Sequence, residues 1–232
     1  MNWLEALILG LIQGLTEFLP VSSSGHLELG KAILGVEVRN SLSFTIVVHA
    51  ATVLSTIVVF YKELNVLIKG LFKLEWNDET KYIYRIIISM IPVMIVGLFL
   101  KDYVKSFFNE GNIAFVGFML LITSGLLVST YLTKPGEKKI STPNAFIIGI
   151  AQAFAVLPGI SRSGATIATG LLLGNKRTLV TKFSFLMVLI PIIGENIIDA
   201  FSGEMTDGSG VGLTPLIIGF IAAFISGLIA CK

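Results

Sequence analysis

Charge and cysteine are scarce in this chain. One cysteine, Cys231, stands among 232 residues, so no intramolecular disulfide can form. Asp, Glu, Lys and Arg make up 14% of the sequence, against roughly a quarter in an ordinary soluble domain. The basic residues sit singly in short loops, which excludes the continuous basic surface of a nucleic-acid-binding protein. No Lys or Arg precedes Lys31, and the first apolar run carries Gln13 and Glu17. The N-terminus therefore lacks the charged start of a signal peptide and reads as mature protein. There is no low-complexity tail, and no soluble domain fits between the apolar segments. What fills the chain is apolar: 54% of residues, with a mean hydropathy of +0.86. A surface this apolar needs lipid as its solvent.

Five segments are long enough to cross a bilayer, which takes about 20 mostly apolar residues. They are 43–61, 83–100, 113–132, 183–201 and 213–230. Two further runs, 4–19 and 145–157, are nearly copies of each other. From Ala6 the chain reads ALILGLIQGLTEFLPVSSSGH, and from Ala145 it reads AFIIGIAQAFAVLPGISRSGA. Ala6/Ala145, Gly10/Gly149 and Gln13/Gln152 match at an offset of 139. Leu19/Leu157, Pro20/Pro158 and Ser23/Ser161 match at 138, and Ser24/Ser163 and Gly25/Gly164 return to 139. Each run breaks at Leu-Pro, because Pro removes a backbone donor, and opens into a Ser/Gly-rich loop. Backbone that leaves helix at membrane depth is tolerated only inside protein or beside a wet cavity. A duplicated, broken apolar segment is the best sequence pointer to a membrane binding site.

The positive-inside rule orients the spans. The loop 62–81 carries Lys62, Lys69, Lys73 and Lys81, with Arg85 just beyond. The loop 133–144 carries Lys134, Lys138 and Lys139, and 174–182 carries Lys176, Arg177 and Lys182. With Lys232, these place twelve of the 17 Lys and Arg on one side, the cytoplasmic one. Lys31, Arg39, Lys101 and Lys105 fall opposite, beside the acidic Glu204 and Asp207, and Arg162 is left within the second broken run. The segment 145–173 must then start and end on the cytoplasmic side, which a re-entrant hairpin satisfies. The first hairpin enters from the other side, so the copies are inverted. The chain is expected to be one polytopic all-α membrane domain, 1–232, with repeat one at 1–138 and repeat two at 139–232. Each repeat is a re-entrant helical hairpin plus spanning helices. Repeat two counts one span fewer, so the sequence is expected to stop before a last helix.

Polar chemistry gathers at the breaks. Glu17 lies four residues after Gln13, so on a helix both share a face. An ionisable group inside a membrane is a functional hypothesis by default. His26 follows Ser22, Ser23, Ser24 and Gly25 and is read as an acid–base or nucleophilic group. Arg162 sits between Ser161 and Ser163 and is followed by Gly164 and Thr166. A Ser/Gly loop that opens a helix presents N–H groups to an anion, and Arg adds a fork that fits phosphate oxygens. Ser24, Ser161, Arg162, Ser163, Gly164 and Thr166 are therefore the expected phosphate contacts. One loop supplies acid, base and hydroxyls, and the other an anion clamp. Together they suit a phosphorylated ligand, with a carboxylate left to hold a divalent cation. His49, Thr52 and Ser55 share one face of a span and either line the cavity or bond between helices. Glu195 and Asp199, one turn apart, are read as structural or interfacial.

The stretch QGLTEFLPVSSSGH resembles the (Glu/Gln)-x-x-x-Glu motif and following Ser/Gly/His segment of the bacterial undecaprenyl-diphosphate phosphatases, the bacitracin-resistance family. LPGISRSGAT resembles that family's second motif, Pro-Gly-x-Ser-Arg-Ser-Gly-x-Thr, and the resemblance runs from Leu4 to Lys232. It implies a multi-pass enzyme of the bacterial inner membrane, and the charge count, which puts the first hairpin's entrance opposite the cytoplasm, opens its site to the extracytoplasmic side. That enzyme removes the terminal phosphate of undecaprenyl diphosphate, recycles the lipid carrier of peptidoglycan synthesis and confers bacitracin resistance. It implies a divalent cation, Mg²⁺ or Ca²⁺, at Glu17 and Gln13. It also implies catalytic roles for Glu17, Ser23, His26, Ser161 and Arg162. Gln13 stands where many members carry Glu. The expected partners are the polyprenyl diphosphate substrate and membrane lipids, with a homo-oligomer left open. The competing reading is a transporter that flips a polyprenyl-phosphate lipid without hydrolysis. The attacking group is left open between His26, a loop serine such as Ser23, and water.

Overall fold

The computed structural model describes residues 1–36, 42–100, 113–134, 136–201 and 211–232. Arg39, Lys101, Lys105, Glu204, Asp207 and the side chains of Glu195 and Asp199 lie outside the described residues. The described residues form helices α1 (Trp3–Phe18), α2 (Ser23–Leu34), α3 (Leu42–Val59), α4 (Tyr61–Leu71) and α5 (Asp78–Phe99). They continue with α6 (Ile113–Leu132), α7 (Thr142–Phe154), α8 (Arg162–Leu172), α9 (Arg177–Phe201) and α10 (Leu213–Ala230). Helices α5, α6, α9 and α10 are each long and apolar enough to cross a membrane, and α3 joins them when taken with α4. The chain is thus a multi-pass, all-helical membrane protein over its described residues.

Both broken runs are helix pairs. Helix α1 starts on a capping box, in which the Asn2 side chain accepts from the N–H groups of Leu4 and Glu5 while Glu5 accepts from Asn2 N–H. It stops before Leu19-Pro20, and α2 packs back along it. Helix α7 stops before Leu157-Pro158, and α8 packs back in the same way. With 16 and 13 residues, α1 and α7 rise about 24 and about 20 Å. Neither covers the roughly 30 Å of a bilayer core. That is the length of a re-entrant limb.

Each hairpin leans on a span of the other repeat. Helix α1 packs chiefly along α10, and α7 along α5. Small residues permit this closeness. A side-chain carbon on Gly10 would lie 2.5 Å from the Gly219 carbonyl oxygen, and one on Gly14 would overlap Ser226 Oγ and the Ala223 carbonyl. Gly149 meets the Ser89 carbonyl in the same manner. Two apolar cores follow the two hairpins. One joins Ala6, Leu9 and Leu27 to Phe44, Val48 and Ala51 of α3 and Ala223 of α10. The other joins Ala145 and Ile148 to Ile86 and Met90 of α5 and Val180, Phe183 and Met187 of α9.

Three expectations are corrected. The segment 62–81, expected as a loop, contains α4, which turns 73° away from α3. Its apolar residues recur at helical rather than spanning length, so hydropathy alone passes over it. Lys31, counted as a flanking charge opposite the cytoplasm, belongs to α2 and is buried against Glu28 at 2.8 Å. The spans expected from 83 and 183 start earlier, at Asp78 and Arg177, because polar first turns extend the helices beyond the apolar window.

Gly14→Val should destabilise the fold by about 1–3 kcal/mol, as overpacking does. Gly125→Ala should not, because nothing lies within 4 Å of a Cβ there. Thermal unfolding of both variants in detergent checks this. Equal midpoints would show that α1 and α10 can part without loss.

Candidate functional site

The tips of the two hairpins touch. A Cβ on Gly25 would lie 3.2 Å from Gly159 Cα, and one on Gly164 would lie 3.1 Å from the Pro20 carbonyl oxygen. Ser163 Oγ donates to the Leu19 carbonyl at 3.5 Å. The two tips are also capped alike. Ser22 is the N-cap of α2 and its Oγ accepts from Gly25 N–H at 3.3 Å. Ser161 is the N-cap of α8 and its Oγ accepts from Gly164 N–H at 3.0 Å. Ser22 pairs with Ser24 at 3.3 Å, and Ser161 with Ser163 at 3.2 Å.

This capping corrects the register of the repeat. Ser22, not Ser23, is the counterpart of Ser161, and the gap closes before the cap rather than after it. Ser23 then stands opposite Arg162, each the first residue of its helix. Ser22 holds its place at a φ of 70°, in the left-handed region that non-glycine residues avoid.

The capping leaves four N–H groups at the paired helix starts, those of Ser23, Ser24, Arg162 and Ser163, without a partner among the described residues. Two helix N-termini thus meet with their free donors and positive dipole ends, an arrangement whose electrostatics favour an anion. The Arg162 guanidinium is half-buried and makes no hydrogen bond among the described residues, so its fork remains available.

The acid side is equally ordered. Glu17 Oε2 accepts from Gln13 Nε2 at 2.8 Å and from Ser23 Oγ at 2.5 Å. His26 Nδ1 lies 2.9 Å from the Ser22 carbonyl, which can only accept, so in the neutral ring Nδ1 carries the proton and Nε2 the lone pair. Arg162 and His49 are the cationic or titratable neighbours that act electrostatically on Glu17. The structure therefore brings Gln13, Glu17, Ser23, Ser24, His26, Ser161, Arg162, Ser163 and Gly164 together at one meeting of loops.

A model of the bacitracin resistance protein BacA family matches residues 6–232. The chain belongs to that family. It is 57% identical over 236 residues to a protein of Bacteroides thetaiotaomicron named undecaprenyl-diphosphatase, covering 100% of this chain and 89% of that protein. A protein of the same name from Christiangramia forsetii is 55% identical, covering 100% of this chain and 88% of its own. One from Methanosphaera stadtmanae is 38% identical, at 99% and 87% coverage.

Within this BacA-family site, Thr166 does not face the open loop. It is fully buried, and its hydroxyl is engaged with Ser184 Oγ at 2.5 Å and the Arg162 and Ser163 carbonyls at 2.8 and 3.3 Å. It braces α8 against α9 from behind. The shared face of α3 divides. His49 turns Nδ1 to the Thr45 carbonyl at 2.9 Å and stands near Glu17. Ser55 bonds across to the Phe224 carbonyl of α10 at 2.9 Å, and Thr52 back to His49 at 2.8 Å.

Two buried polar groups of the helices around the site were not among those expected. Thr123 of α6 donates to the Gly159 carbonyl at 2.9 Å and accepts from Ser161 N–H at 3.1 Å, so one hydroxyl holds the second loop. Its only signal in the sequence is a hydroxyl inside an apolar span. Gln152, the counterpart of Gln13, is buried with its Oε1 unpartnered.

The oxygen donors fit part of a divalent-cation shell. Gln13 Oε1 is buried and unpartnered among the described residues, and Glu17 Oε1 takes neither of the two hydrogen bonds. Hard cations take such oxygens, and Mg²⁺ often completes its shell with substrate phosphate. No cluster of three His, Cys, Asp or Glu stands among the described residues, so the chain offers a partial shell.

Thr123→Val should strand the Gly159 carbonyl and the Ser161 N–H and cost about 1–3 kcal/mol, while Thr123→Ser should keep both bonds. Unfolding midpoints in detergent distinguish them, and a Val variant as stable as the Ser variant would remove Thr123 from the loop's support.

Proposed function

We propose that this chain hydrolyses undecaprenyl diphosphate to undecaprenyl phosphate and inorganic phosphate, and so returns the lipid carrier to peptidoglycan synthesis. The observation that carries the reading is the meeting of two helix N-termini, with Arg162, against Glu17, Ser23 and His26. A diphosphate needs several donors that are fixed before it arrives, and such electrostatic preorganisation supplies most of the rate enhancement in many phosphoryl transfers. The family and the named relatives point to the same reaction.

In this reading the N–H groups of Ser23, Ser24, Arg162 and Ser163 and the Arg162 fork bind the two phosphates. Ser161 and Gly164 shape the second loop rather than reach the substrate. Ser23 Oγ, whose proton is already directed at Glu17 Oε2, attacks the terminal phosphorus. The new bond joins Ser23 Oγ to phosphorus, and the anhydride bond to the bridging oxygen breaks. Undecaprenyl phosphate leaves with the electron pair. Glu17 takes the Ser23 proton as the Oγ–P bond forms. Water then attacks the phosphoserine and gives one proton to His26 Nε2, the P–Oγ bond breaks, and Oγ takes its proton back from Glu17, which frees inorganic phosphate and restores Ser23 while His26 returns its proton to solvent. Glu17 and Gln13 would hold a divalent cation, whose chemistry when bound is to neutralise charge on the phosphate oxygens.

Charge asymmetry along the chain supports placing the first hairpin's entrance on the extracytoplasmic side of the inner membrane. The polyprenyl tail then stays in lipid while the diphosphate enters between the hairpins.

Arg162→Lys should lower kcat/KM at least tenfold although charge is kept, because an ammonium cannot supply the planar fork. Unchanged turnover in a phosphate-release assay on undecaprenyl diphosphate would remove the clamp.

Phosphate release in detergent should need divalent cation and fall about 10²–10⁴-fold in His26→Ala. Glu17→Gln should abolish release, and Gln13→Glu should retain it. Lipid binding without release in any condition would favour a transporter over a hydrolase.

A further inference from the structure

Helix α4 takes no part in the site. It begins where α3 ends and turns 73° from it, so when α3 crosses the membrane α4 runs near the plane of the surface. Its side chains sort into stripes. Leu64 and Leu67 pack on the core around α9. Lys62 and Lys69 lie seven residues apart on one face, and Lys73 continues the row just past the helix end. Tyr61, Ile68 and Phe72 form the adjacent row and are 57%, 52% and 79% exposed.

The lysine row is unopposed. Lys62, Lys69 and Lys73 are exposed and make no ion pair among the described residues. Of the nearby acids, Glu63 pairs with Lys182 of α9 at 3.7 Å, Glu79 packs its stem on Gly70, and Glu75 follows the helix. A cleft of about 210 Å³ opens between α4 and Lys182, lined by Lys62, Glu63, Val66, Leu67 and Lys182. A second marker fixes the level. Trp76 and Tyr84 are both exposed and stack edge to face at 5.7 Å. Trp and Tyr rings gather at the headgroup boundary.

We propose that α4 is an interfacial helix that seats anionic phospholipid headgroups. The row of Tyr61, Ile68 and Phe72 sinks into the acyl boundary, and the lysine row meets headgroup phosphates, one of them in the cleft between Lys62 and Lys182. Apolar burial on one face and cationic attraction on the next is how such helices bind. The surface is separate from the hydrolytic site and stands whether or not that reading holds.

The test is native mass spectrometry of the full chain in detergent with phosphatidylglycerol and phosphatidylcholine at equal concentration. The wild type should retain phosphatidylglycerol at least tenfold over phosphatidylcholine. Each surface lysine is worth about fivefold toward anionic lipid, so Lys62→Gln/Lys69→Gln/Lys73→Gln should erase the preference. Glu63→Gln, which removes the competing carboxylate from the cleft, should retain as much phosphatidylglycerol as the wild type or more. No preference in the wild type, or an undiminished one in the triple variant, overturns the proposal, as does a loss in Glu63→Gln equal to that of the triple variant. A second measurement is independent of variants in the lysine row. In nanodiscs, Trp76 fluorescence in a Trp3→Phe background should be quenched more by brominated phosphatidylglycerol than by brominated phosphatidylcholine. Equal quenching counts against an anionic seat.

Discussion

Four helix ends inside a membrane must find partners for their backbone, and the contact between the two hairpin tips is where this protein meets that demand. Lipid offers no hydrogen bonds, so every donor and acceptor freed by the breaks at Pro20 and Pro158 needs protein, water or ligand. Ser22 and Ser161 satisfy one N–H each, and Thr123 satisfies a carbonyl and an N–H on the second loop. The glycines at 25, 159 and 164 let the loops approach without side chains between them. Among the described residues the N–H groups of Ser23, Ser24, Arg162 and Ser163, at the two helix starts, have no hydrogen-bond partner. An anionic ligand is the natural complement of that remainder.

The duplication supplies a frame and the divergence supplies the chemistry. Both hairpins keep the glutamine, the break, the capping serine and the glycine three residues on. They differ at the first helical residue, Ser23 in one and Arg162 in the other, and at the carboxylate, which only the first copy has in Glu17. A symmetric pair of anion cradles thereby becomes an asymmetric site, with cation on one wall and acid, hydroxyl and imidazole on the other. The reciprocal packing of α1 on α10 and α7 on α5 holds the walls in register, since neither hairpin can shift without moving a span of the other repeat.

Much of this was legible beforehand because it rests on local signals. Pro and Gly after an apolar run mark a break wherever they stand, and a repeat is visible in the letters themselves. Hydropathy located the five spans, though their polar first turns at Asp78 and Arg177 lay outside any apolar window. The helix at Tyr61–Leu71 was invisible to the same measure, because it mixes lysines with apolar residues and averages to neither. Thr166 and Thr123 show the limit most plainly. Both are hydroxyls near the motif or in an apolar span, and only the neighbours decide that one braces a helix pair and the other holds the loop.

By itself the sequence determined the solvent, the helical class, the two broken runs and the residue types gathered at them, because composition and punctuation act within a few residues. Tertiary structure alone decided that the Ser163 hydroxyl meets the Leu19 carbonyl, that Gly25 lies against Gly159 and that Gly164 lies against Pro20. Contacts within a few ångströms settle these matters. Such distances depend on how two hairpins far apart in the chain come to rest against each other.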